Sequence, residues 1–159
     1  MAEEGYRDED KGMEKIREEI AKLKCLGVKA GIVEGAGNVD GIAIAQYAAY
    51  NEFGVPGKTK KWDIPPRPFI RGWLENHASE IKTMQEKLFK QVSDGKMSAT
   101  MAMQRLGQFA QDGIKKYIVG GVFEPNAETT IRQKGSSRPL IDTGTMRNSV
   151  RYEVTSRGK

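Results

Sequence analysis

The 159-residue sequence has one cysteine, Cys25, and one histidine, His77. A lone cysteine excludes a disulfide framework and any thiolate metal cage within one chain. A lone histidine removes most histidine-based acid–base and zinc chemistry. No run of eighteen apolar residues occurs, so no membrane-spanning helix is expected. The opening decade, MAEEGYRDED, is acidic and has no apolar stretch, so it does not read as a secretory signal. These absences point to a reducing cytoplasmic setting and make elaborate active-site chemistry a poor expectation.

Charge is plentiful but uneven. Residues 1–20 hold eight acids against four bases, whereas residues 130–159 hold seven bases against two acids. Such ends suit head-to-tail pairing of copies, or contact of the basic end with phosphate; two solvated arms are the plainer reading. Residues 1–12 read as a disordered acidic arm, 13–154 as one domain, and 155–159 as a basic tail.

Helical spacing begins at Met13, Ile16, Ile20 and Leu23, with Gly27 as the stop. A strand is expected at 28–34, a flexible turn at 35–41 and a small-residue helix at 42–53. Pro65, Pro66 and Pro68 impose an extended segment, with Pro68 opening the next helix. That helix reads as one long element over 69–93. A second follows at 98–118 behind the N-cap Ser98, and the short loop between them makes an antiparallel hairpin. Residues 119–141 read as loop with a turn near 130–133. A helical turn at 144–148 and a strand at 149–154 follow, the latter the natural partner of 28–34. The expected fold class is therefore α+β: a small single domain with an antiparallel helix hairpin packed on a small sheet.

Several motifs imitate chemistry. Asp142-Thr143-Gly144 matches the triplet of aspartic proteases, but such an enzyme needs a β-rich body and a second carboxylate. An N-cap and tight turn explain it better. Gly35, Gly37 and Gly41 give GxGxxxG, one residue off the dinucleotide fingerprint and without a βαβ unit. Ser79 and Lys82 fit S-x-x-K, yet mid-helix and without companion motifs. His77 and Glu80 are two possible metal ligands lacking a third, and Cys25 reads as a small packing residue. No cofactor or metal is expected, and the chain does not read as an enzyme. Lys58, Lys60, Lys61, Arg67 and Arg71 around Trp62 make a basic nucleic-acid-binding module the alternative function.

Three segments stand in a distinctive order: residues 44–54 (IAQYAAYNEFG), 64–69 (IPPRPF) and 139–150 (PLIDTGTMRNSV). Together they resemble the neck or tail-completion proteins of long-tailed bacteriophages, the virion morphogenesis family. Asp94-Gly95-Lys96 before Ser98, Thr130-Ile131 and Lys134-Gly135 support the likeness, which covers about residues 28–154. It implies a structural virion protein, assembled in the host cytoplasm, that sits at the head–tail junction. The implied partners are further copies in a ring of six or a multiple, a head-closure or connector protein, and a tail terminator or tail tube protein. DNA would pass through the ring without sequence-specific binding. Assembly candidates are Glu52, Arg67, Phe69, Asp142, Thr143 and Arg147. Glu52 is expected to pair with Arg67, within a subunit or between two. Residues 134–154 are expected to form an assembly element whose strand settles only in the ring.

Overall fold

A computed structural model describes residues 11–33, 35–39, 41–57, 64–135, 137–141 and 144–156, without the side chains of Lys11, Gln133 and Lys134. The chain opens with α1 (Lys11–Cys25), an amphipathic helix that leads directly into β1 (Leu26–Ile32). Gly27 therefore lies inside a strand rather than ending the helix, and Cys25 is exposed rather than packed. The expected flexible turn is a minimal hairpin, β2 (Asn38–Val39) and β3 (Ile42–Ala43), feeding α2 (Ile44–Phe53).

The single long helix expected over 69–93 is two helices, α3 (Phe69–Asn76) and α4 (Ala78–Ser93). At the break two side chains reach back to carbonyls of the preceding turn. The Asn76 amide donates to Gly72 O at 2.8 Å, and a ring nitrogen of His77 lies 3.0 Å from Trp73 O. The His77 backbone leaves the helical region at φ −117°, ψ 18°. Beyond the turn at 94–98, α5 (Ala99–Gly120) runs back along both. Ser98 caps it as expected, its hydroxyl accepting from Met101 N. The turn expected near 130–133 is a fuller helix, α6 (Glu128–Lys134). The one-turn α7 (Thr145–Asn148) precedes β4 (Val150–Ser156).

β1 and β4 pair antiparallel from Leu26↔Ser156 to Ile32↔Val150. The expected α+β architecture is thus present, with the helix hairpin packed on a two-stranded sheet. The sheet reaches α5 closely because Gly107 has no side chain: a Cβ there would run into the Tyr152 ring. Gly113 likewise receives the face of Trp73. Two apolar clusters result. One joins α2, α3, α5, α7 and the sheet around Phe69, Trp73, Ile114, Ile118 and Val150. The other lies by the 94–98 turn, where Ile20 and Leu23 of α1 meet Leu88, Val92, Met97 and Ala102.

β4 is paired along its whole length in the single chain, with Val150 fully buried. The strand expected to settle only on assembly is already part of the core. No helix among the described residues is long and apolar enough to cross a membrane.

Candidate assembly site

The three segments of the ordered motif set meet in one place. Ala48 of the first, Phe69 of the second, and Leu140, Met146 and Val150 of the third belong to the same buried cluster. The second segment is strapped to the end of α2. Arg67 N donates to Asn51 O at 2.6 Å, and Val55 and Ile64 exchange backbone hydrogen bonds of 2.9 and 3.0 Å. The strap passes so close that a Cβ on Gly54 would lie 2.8 Å from Ile64 O. Gly54 also has φ +74°, a conformation that side chains other than glycine's resist.

The expected Glu52–Arg67 pair is not formed. Glu52 is 4% exposed and turns to the start of α3, where its carboxylate accepts from Ile70 N at 2.9 Å and Arg71 N at 3.0 Å. Arg71 completes the arrangement: Nε meets the same carboxylate at 3.1 Å and Nη2 donates to Glu52 O at 3.0 Å. A carboxylate fits here because the first N–H groups of a helix lack intrahelical acceptors and carry partial positive charge. Pro68, at the N-cap, has no hydroxyl or carboxylate of its own for this work. Arg71 also lies over the Phe53 ring, 4.8 Å from its centroid.

Arg67, 6% exposed, points to the opposite strand of loop. Its Nε donates to Glu124 O at 2.7 Å and Nη2 to Pro125 O at 2.9 Å. Burial pushes its pKa below the usual arginine value, with Tyr47 and Glu124 acting in the other direction. The group stays charged, since an arginine starts far above neutrality. With Glu52 committed to the start of α3 and Arg67 to the 124–125 carbonyls, the pair does not form within the chain.

Phe69 is wholly buried at the centre of the main cluster, a packing residue rather than a contact surface. Arg147 is half-buried on α7, its Nε and Nη2 donating to Asn148 Oδ1 at 3.3 and 3.2 Å. Asp142 and Thr143 lie outside the described residues. Just before them, Leu140 is the only described non-glycine residue with positive φ, at 62°. Its side chain is buried in the main cluster, and that packing offsets a left-handed backbone that costs about 1–2 kcal/mol.

The basic cluster of the nucleic-acid reading loses two of its members as free cations: Arg67 is buried on carbonyls and Arg71 is tied to Glu52. Lys58, Lys60, Lys61 and Trp62 lie outside the described residues. Ser79 and Lys82 are exposed on α4, and no group of three candidate metal ligands exists among the described residues. His77 stacks on Trp73 at 5.7 Å and meets Tyr117 edge-on, which is a packing role.

Sequence reasoning missed the two contacts that organise the site. Arg71 carried a signal as a cation four residues past Arg67, on the first turn of a helix. The carbonyls of Glu124 and Pro125 carried none, because any residue supplies one. No family model, curated protein or solved structure matches the chain.

Proposed function

We propose that the chain is a structural virion protein of the neck or tail-completion type, acting at the junction of a phage head and tail. The observation that carries this reading is the ordered set of segments 44–54, 64–69 and 139–150. Their convergence in a single core supports it, because the three segments act together as one packed unit rather than as separate stretches of chain. In this reading copies of the chain form a ring, six or a multiple, around the DNA channel. The head-closure or connector protein lies on one side and the tail terminator or tail tube on the other. DNA passes through without sequence-specific contacts, no cofactor takes part, and the role is mechanical rather than enzymatic.

Rigidity is the property such a joint requires, and the site has the means for it. The proline-rich strap is pre-ordered, which lowers the entropy cost of holding it against a neighbour. Glu52, Arg67 and Arg71 then anchor it at both edges.

Electron microscopy of a phage lysate made without this gene product tests the reading. Filled heads beside separate, normal-length tails are the expected result. Overlong tails would move the role to terminating tail growth. Intact infectious virions would overturn the assembly function.

A further inference from the structure

Arg67 is a buried cation that no buried anion among the described residues matches. Among the described residues it has no carboxylate at ion-pair distance; its hydrogen-bond acceptors are two backbone carbonyls, reached by Nε and Nη2. Nη1 has no acceptor among those residues. Arg67 borders a cavity of about 220 Å³, lined also by Tyr47, Tyr50, Asn51, Asn126 and Thr130. The lining is mostly apolar, with Ile64, Pro65 and Leu140 in it and Arg67 as its one charged residue; the amides of Asn51 and Asn126 already donate to Tyr47 O and Arg138 O. A carboxylate is the ligand whose geometry matches an arginine fork, and a partly desolvated setting strengthens that contact.

The occupant is indicated by charge and by position. The segment 1–10 carries five acids and one base, the densest negative charge in the sequence. It joins α1 at Lys11, and α1 packs by the 94–98 turn, where Ile16 faces Gly95 and Glu19 accepts from Ala99 N. The Arg67 cavity is at the other end of α5, beside residues 124–127. The 22 residues of α5 separate the two by about 33 Å of helix. Ten residues span at most about 36 Å when fully extended. Reaching its own cavity would therefore use the segment's entire length, a constraint that the cavity of a second copy does not impose.

We propose that the Arg67 cavity binds a carboxylate side chain, supplied by the acidic segment 1–10 of a second copy of the chain. The contact is heterologous: each copy gives a segment from one end and receives one at the other, so copies propagate into a closed ring or a filament. It stands independently of the virion reading.

The test uses the full chain with its first five acids neutralised (E3Q, E4Q, D8N, E9Q, D10N) as receptor and a fluorescent peptide MAEEGYRDED as probe. Saturable binding that weakens as salt rises is expected. The neutral peptide MAQQGYRNQN should bind about tenfold or more weaker. Thr130→Glu sets a carboxylate into the cavity while leaving both Arg67 bonds in place. That receptor, with its helical circular dichroism unchanged, should lose the peptide to a similar extent. In sedimentation velocity the unaltered chain should self-associate, and both the neutralised and the Thr130→Glu chains should do so less. Equal binding of the two peptides, binding unaffected by Thr130→Glu, or no saturable binding overturns the proposal. Displacement by acetate as effective as by the peptide, carboxylate for carboxylate, would assign the cavity to a small free acid and overturn the second-copy source. Sedimentation unchanged by either variant would do the same.

Discussion

Two glutamates do parallel work in this molecule, each reaching from one helix to the beginning of another. Glu52 of α2 accepts from the first turn of α3, and Glu19 of α1 accepts from Ala99 N at 2.7 Å, at the start of α5. Removing the first leaves two helix N–H groups and Arg71 Nε without their acceptor, while Arg71 Nη2 keeps Glu52 O. Glu52→Ala should therefore cost about 3 kcal/mol, and Glu52→Gln about half as much because one oxygen remains. Urea unfolding of the three proteins measures both. The combined reversal Glu52→Arg with Arg67→Glu should rescue neither single change, since it aims a carboxylate at the carbonyls of Glu124 and Pro125. Recovery of the unfolding midpoint in that double variant would contradict the geometry. That Glu52 and Arg67 are singular residues was legible in the sequence, but the partners they hold in the fold were not. A carboxylate and a cation separated by a proline-rich strap look complementary on paper. Helix N–H groups and loop carbonyls compete for them, and neither leaves a trace in residue identity.

At the scale of the element, the helix junctions hold the pH dependence. Glu19's carboxyl is held below its ordinary value by the hydrogen bond from Lys22 and then by that from Ala99 N. Asp94's is lowered foremost by Lys90, with Lys96 adding to it against partial burial. A carboxyl whose folded pKa is depressed contributes stability that is complete above its unfolded value and is lost as the pH falls through the folded one. The attachment of α1 to the 94–99 turn should therefore weaken on acidification from about pH 5 to about pH 3. Glu19→Gln should flatten the slope of the urea midpoint against pH over that interval; an unchanged slope would count against the cap. Ser98→Ala should remove about 1 kcal/mol from the same junction, read in the same way. Elements with strong periodicity or capping, such as α5 and the β1–β4 pair, were legible in the sequence. The break at His77 was not, because the apolar stripe runs on through it and no residue in the pattern reports that the His77 backbone leaves the helical region. β2 and β3 were hidden as well, since two-residue strands have no period to detect.

On the scale of the whole molecule, the chain's basic surplus suggested nucleic acid. Two arginines of that cluster are committed to the fold, and the surface left to bind phosphate is correspondingly smaller. Affinity for duplex DNA should be weak at near-physiological salt, with a shallow dependence on salt concentration. A steep fall in binding as salt rises, measured by fluorescence anisotropy, would restore the nucleic-acid reading. The fold class was legible because the two sheet strands and the hairpin each announce themselves. How the three motif segments meet was not, because nothing in their separate sequences reports that Ala48, Phe69 and Met146 share a core.

The sheet has a further consequence in time. Ile32 pairs with Val150 across more than a hundred residues of chain, whereas the helices of the hairpin are neighbours in sequence. Local contacts form first and distant ones late, so the hairpin should take shape well before β1 and β4 find each other. During that interval Ile114, Ile118 and the Gly107 groove lack their cover. The molecule's most adhesive surface is thus a transient one, and a slow closing of two strands decides how long it stays open to the wrong neighbour.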